Sequence, residues 1–225
     1  MEWVATFSGL RSVQGTVDFP EAVEAYESGD YESALHKFEV LAKHGDFRAQ
    51  YNLGVMYQRG KGVPQDYGRA LAWYQQAGEE GSADAQYTLG NMYRSGDSIY
   101  QDYGQAVNWY SRAAKQGHAD AQYNLGLMYA KGYGVLQDYD QAQVWYQKAA
   151  AQGYASAQVN LGNMYARGKG VPQDYVQAHM LYNLAASQGD EFAVKYRDRL
   201  AKKMTSQQIS EAQALAREWV SKNRQ

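Results

Sequence analysis

The chain has no cysteine, which excludes disulfides and thiolate metal sites and leaves the redox compartment open. It has no excess of one charge sign: 22 Lys and Arg stand against 24 Asp and Glu, for a formal net charge of -2. Phosphate binding needs a concentrated basic surface, so no nucleic acid is expected as a partner. The lack of a Lys/Arg run also argues against an electrostatic membrane anchor. No stretch approaches the ~20 apolar residues of a membrane span, so a soluble chain without membrane insertion is expected. Proline is scarce, at three residues, whereas tyrosine reaches 21. An aromatic used this often points to a repeated slot.

The first residues, MEWVATFSGLRSVQG, make a poor export signal, with Glu2 where positive charge belongs and no long apolar segment. Trp3, Phe7 and Leu10 fall at helical spacing. Residues 1–19 therefore read either as a helix docked on the first repeat or as an extension foreign to the natural chain. No usable export signal is read in this segment.

The pair Asp-Tyr recurs at Asp30, Asp66, Asp102, Asp138 and Asp174, always 36 residues apart. The same step links Ala34, Ala70, Ala106, Ala142 and Ala178, and it links Gly45, Gly81, Gly117, Gly153 and Gly189. A further set runs through Ala49, Ala85, Ala121, Ala157 and Ala193. Four sets in phase across five copies mark a stacked repeat rather than one globular core.

Each unit reads as two helices. In the first, Ala49, Leu53, Met56 and Tyr57 form an apolar stripe, which Gly60, Gly62 and Pro64 end. Asp66 suits the N-cap of the second, where Ala70, Trp73, Tyr74 and Ala77 make the buried stripe and Gly81 marks the end. Gln105, Gln141 and Gln177 lie three residues after their Asp, as in a reciprocal capping box. Gly54, Gly90, Gly126 and Gly162 occur inside the first helices, at a cost of roughly 1 kcal/mol each relative to Ala. Close approach of the paired helix, through Ala70 and its equivalents, is the expected reason. Trp73, Trp109 and Trp145 are expected to fill the wedges between units.

The string AQYNLGLMYAKGYGVLQDYDQAQVWYQKAAAQG, like AQYNLGVMYQRGKGVPQDYGRALAWYQQAGEEG before it, resembles a Sel-one-like repeat of the tetratricopeptide superfamily. The resemblance covers Ala49 to roughly Phe192. It implies an all-α, right-handed superhelical solenoid of stacked antiparallel helix pairs, working as an adaptor for other proteins. The expected division is 20–48 for a short tetratricopeptide-like pair, then repeats at 49–84, 85–120, 121–156 and 157–192. Residues 193–225 are read as capping helices, with a capping box at Thr205 and Gln208. Ile209, Ala212, Leu215, Ala216 and Trp219 form one apolar face there. The loop at Asp97, Ser98 and Ile99 departs from the repeat pattern.

Reactive chemistry is hard to find. Gly60-Lys61-Gly62 and Gly168-Lys169-Gly170 lack the spacing and the Ser/Thr of a phosphate loop. His36, His44, His118 and His179 fall in non-equivalent slots without the convergent ligands of a zinc site, and surface positions are expected for most. Neither a cofactor nor a metal is expected. A cell-envelope enzyme or glycan binder, penicillin-binding or β-lactamase-like, is the alternative that relatives of the family imply. No Ser-x-x-Lys and no cysteine supports it.

What remains is the face of each first helix opposite the core. By resemblance to tetratricopeptide arrays it would line a concave groove. Its candidates are Tyr51, Val55 and Gln58, then Tyr87, Asn91 and Arg94, then Tyr123 and Leu127, and finally Asn163. The second and third slots change between copies, and tyrosine, retained at three first slots, is enriched in interface anchors. The expectation is a non-enzymatic monomer that holds a protein or peptide segment in this groove.

Overall fold

A computed structural model describes residues 17–96 and 100–222. Trp3, Phe7 and Leu10 of the N-terminal segment, and Asp97, Ser98 and Ile99 of the divergent loop, lie outside the described residues. Among the described residues there are twelve α-helices and no strand. The chain divides after Glu80 into two compact units.

The first unit holds α1 (Phe19–Glu27), α2 (Tyr31–Lys43), α3 (Phe47–Arg59) and α4 (Tyr67–Glu79), each packed on the next. Ala22, Ala34, Phe38, Ala42, Ala49, Leu53 and Met56 make its core, and Trp73 of α4 leans on it. The second unit holds α5 (Ala83–Ser95), α6 (Tyr103–Lys115), α7 (Ala119–Lys131), α8 (Tyr139–Ala151), α9 (Ala155–Arg167) and α10 (Tyr175–Ser187), then α11 (Glu191–Ala201) and α12 (Ser206–Lys222). Its helices also pack in chain order as far as α11, and α12 returns onto α10. Trp145 of α8 joins the cluster of Ala106, Tyr110, Leu125 and Met128 from α6 and α7. That is the wedge role expected of Trp145.

The helix boundaries follow from local chemistry. Asp66 Oδ1 accepts from the Arg69 backbone amide at 2.9 Å. Asp102, Asp138 and Asp174 do the same for Gln105, Gln141 and Gln177. The expected reciprocal box is nevertheless one-sided. Each Asp amide already donates to the carbonyl of a first-helix tyrosine, as Asp102 does to Tyr93 at 2.8 Å, so the glutamine side chain has no amide left to cap. Thr205 and Gln208 do form a reciprocal box, at 2.9 and 3.2 Å. The first helices end in a left-handed glycine such as Gly60, with φ of +63°, a conformation that costs glycine no Cβ clash. A glutamine beyond the turn then seals the helix end: Gln65 Nε2 donates to the Gln58 carbonyl at 2.8 Å. Gln101, Gln137 and Gln173 repeat that bond.

The interior glycines have a different neighbour from the one expected. It is not Ala70 but the tyrosine four residues later that meets each of them. A Cβ on Gly90 would stand 2.5 Å from two ring carbons of Tyr110, and Gly54, Gly126 and Gly162 face Tyr74, Tyr146 and Tyr182 in the same way. Burying an aromatic ring removes about 150–250 Å² from water, worth roughly 4–6 kcal/mol as an upper estimate at ~25 cal/mol per Å². That outweighs the roughly 1 kcal/mol helix penalty of glycine.

A second device is polar. Gln50, Gln86, Gln122 and Gln158 are buried at the same slot. Gln116, Gln152 and Gln188 donate side-chain amides to Gln86, Gln122 and Gln158 at 2.8, 2.8 and 3.0 Å. In the first unit Glu80 takes the partner position and the bond reverses, with Gln50 Nε2 donating at 3.1 Å. These bonds hold the end of each second helix to the start of its first, and the pairing offsets the cost of burying the amides, except at Gln50, whose Oε1 is buried without a partner.

The far end is covered by α12, whose Ala212 and Ala216 are buried in one cluster with Leu181 and Leu184 of α10. Leu215 and Trp219 are half-buried against the same cluster. Among the described residues, no helix is long and apolar enough to cross a membrane.

Candidate interaction face of the first helices

In the first unit the candidate face is carried by α3. Tyr51 packs its ring 5.5 Å from that of Tyr74, Val55 is half-buried, and Gln58 Oε1 accepts the Tyr74 hydroxyl at 2.7 Å. In the second unit α5 supplies Tyr87, Asn91 and Arg94. The Tyr110 hydroxyl donates to Asn91 Oδ1 at 2.7 Å and accepts from Arg94 Nε at 3.1 Å. Tyr87 lies 6.1 Å from the Tyr110 ring and stacks on His118 at 4.6 Å. The structure thus gathers all three residues of this copy around one buried tyrosine.

The other copies vary the same theme. Tyr123 on α7 packs between Tyr146, at 5.9 Å, and Tyr154, at 5.1 Å. Leu127 offers no acceptor at the slot of Asn91, and the Tyr146 hydroxyl pairs with Asn160 on α9 instead. On α9, Asn163 Oδ1 accepts the Tyr182 hydroxyl at 2.9 Å. The variable slots therefore serve the fold as well as the surface: each offers the buried hydroxyl a partner or passes that task to the next helix.

Electrostatics keeps these hydroxyls as donors. Burial pushes Tyr110 up to about 12, against the opposing charge and hydrogen bond of Arg94. Tyr182 rises to about 12 by burial, with Arg167 opposing. Burial likewise raises Tyr74 and Tyr146. A hydroxyl that stays protonated can stabilise a fixed rotamer of its acceptor, so Asn91 and Asn163 are held in one orientation. Arg94 is exposed and keeps guanidinium donors beyond Nε available.

The tyrosines at 74, 110, 146 and 182, which organise this face, recur at the repeat period and were visible as such in the sequence. Their role was not, because the glycine that admits the ring lies on the other helix of the pair. Among the described residues, no group of three His, Asp or Glu side chains converges as a metal site. Three of the histidines sit outside the core, but His179 is buried.

Four consecutive stretches, residues 47–82, 83–118, 119–154 and 155–190, match the Sel1 repeat. The chain belongs to the Sel1 repeat family. No curated protein matches it. A solved Sel1 repeat protein from Oxalobacter formigenes is 29% identical with a TM-score of 0.77, over 88% of this chain and 85% of that one. A protective antigen of uropathogenic Escherichia coli with an SLR fold is 30% identical with a TM-score of 0.54, over 89% of this chain and 52% of that one. An immunity protein from Pseudomonas aeruginosa, 22% identical with a TM-score of 0.50, covers 91% of this chain and 83% of its own; that likeness concerns the fold alone. Sel1 repeats generally mediate protein interactions.

Proposed function

We propose that this Sel1 repeat chain is a non-enzymatic adaptor, monomeric by itself, that holds a segment of a protein partner in a concave groove along its first helices. The observation that carries this reading is the makeup of the face. Its outer slots change chemistry from copy to copy, from Asn91 and Arg94 to Leu127 and Ala130 to Asn163 and Ala166, while Leu89, Leu125 and Leu161 of the core stay fixed. Such a face presents a partner with a different donor, acceptor or apolar contact at each step, which is how an extended segment is read in register. The tyrosine rings beside these slots add rigid apolar contact at low entropic cost. The similar solved structures come from bacteria, which supports a bacterial cytoplasm or periplasm as the setting. The enzyme or glycan-binder alternative gains no support from a chain without cysteine or Ser-x-x-Lys.

The test is site-specific photo-crosslinking in cells, with the reactive group placed in turn at Arg94, at Leu127 and at Gln147, an exposed position on α8. The adaptor reading expects the same protein adduct from Arg94 and Leu127 and none from Gln147. Adducts from Gln147 alone would move the binding surface to the second helices and sink the proposal. Sedimentation of the purified chain checks that it is a monomer.

A further inference from the structure

The last repeat carries a cavity of about 180 Å³ between α9, α10 and α11, whose walls include Asn163, Arg167, Tyr182, Tyr196, Arg199 and Lys203. No acidic side chain lines it. Resting on the adaptor reading above, we propose that this cavity binds a carboxylate of an acidic segment in the protein partner.

Three features carry the assignment. The first is unbalanced charge. Among the described residues, Arg167, Arg199 and Lys203 enter no ion pair, although their neighbour Arg197 holds Asp198 at 2.9 Å and reaches Asn183 at 3.4 Å. Three cations gathered with no carboxylate among them repel one another; the helix C-termini offset this only in part, and an incoming anion relieves it.

The second is hydrogen-bond polarity. Asn163 turns its Oδ1 to the Tyr182 hydroxyl at 2.9 Å, which leaves its Nδ2 hydrogens for another acceptor. The two guanidinium groups and the ammonium also donate only. A site of fixed donors selects a ligand with acceptors only, and a carboxylate meets a guanidinium through two parallel bonds.

The third is the setting. Arg167 and Arg199 stand in the last turns of α9 and α11, where the helix macrodipole is negative. That partial charge tempers the cations and suits a monoanion better than a phosphate dianion, which is usually cradled by helix N-termini. Tyr182 and Tyr196, with ring centroids 5.7 Å apart, supply an apolar wall for the methylenes that carry a peptide carboxylate.

The experiment titrates the full chain with a short fluorescent peptide rich in Asp and Glu, and with its Asn/Gln counterpart, by anisotropy. The acidic peptide should bind at least ~10-fold more tightly than the neutral one, and Arg199→Ala or Lys203→Ala should each weaken it ~10-fold. Both residues are exposed, so these variants should keep the wild-type circular dichroism. Lys131→Ala, an exposed cation on α7, should leave binding unchanged. Equal binding of the two peptides overturns the proposal. So does equal weakening by Lys131→Ala, since the attraction would then be to general charge. Displacement of the peptide by inorganic phosphate, at concentrations where equal ionic strength of chloride does nothing, would overturn it in favour of a phosphate site. None of these outcomes decides the crosslinking at Arg94 and Leu127, so the adaptor reading stands or falls separately.

Discussion

The hydroxyl of Tyr110 donates to Asn91 Oδ1 across the two helices of one repeat, at 2.7 Å. The ring of Tyr110 is wholly buried against Gly90, whereas Asn91 is half-exposed. One side chain thus links the core to the candidate recognition face, and changes on that face report on both.

Asn91→Ala removes the acceptor of a hydroxyl that cannot reach bulk water. Arg94 can only donate to it, so the hydrogen of Tyr110 is left without a partner, at about 1–3 kcal/mol. Tyr110→Phe in the same chain removes the orphan, so the double variant should cost less than the two single changes summed. Urea unfolding followed by circular dichroism measures the cycle. Additive losses would mean that the hydroxyl finds another acceptor.

Gly90→Ala should destabilise the second unit even though alanine is the better helix former by roughly 1 kcal/mol. The added methyl would stand 2.5 Å from Tyr110 ring carbons, and a wholly buried ring has nowhere to retreat. Overpacking of this kind costs typically 1–3 kcal/mol. A thermal midpoint at or above that of the parent chain would show that the helix pair can separate without penalty.

The period, the helix pairs, the aspartate caps and the closing box at Thr205 were legible because each rests on residues close in sequence. What escaped were contacts between helices. Periodicity marked Gly54 and Gly90 as close approaches but could not say whether Ala70 or Tyr74 made them. Gln50, Gln86, Gln122 and Gln158 were in plain view beside the alanine set, yet polar residues are mostly exposed. Only the packed structure shows their side-chain partners, each thirty residues away. On the candidate face, Tyr87 is legible as an aromatic at a repeated slot, but its stacking on His118 is not. That stacking makes Arg94 the cleaner position for a binding test, since Tyr87→Ala would also lose ring contacts of about 0.5–1.5 kcal/mol per pair.

Deleting residues 204–225 should uncover the cluster of Met180, Leu181 and Leu184 that Ala212 and Ala216 now cover. An apolar end face on a repeat array favours association, so the truncated chain should melt earlier and show larger species in sedimentation. An unchanged melting point with a monomeric profile would mean that α12 is dispensable as a cap.

His179 gives the fold a pH dependence of definite sign. It is 3% exposed, and its Nδ1 is buried without a hydrogen-bond partner. Burial, then the charge of Arg197, hold its pKa below the ordinary histidine value, while Asp198 opposes them. The unfolded chain, with a histidine near ~6.5, therefore takes up a proton before the folded chain does. Stability from this group is fully present above ~6.5 and is lost as the pH falls from there toward the lowered folded value, by at most ~1.4 kcal/mol per pH unit. His179→Leu keeps an apolar side chain of similar size in the slot that Leu71 fills in the first repeat, and it abolishes this loss. His36, His44 and His118 remain in both chains, so their contributions cancel in the comparison. Unfolding free energies measured from pH 7.5 to 5 should fall more steeply for the parent chain than for the variant. Parallel curves would show that His179 is protonated as readily in the folded chain as in the unfolded one.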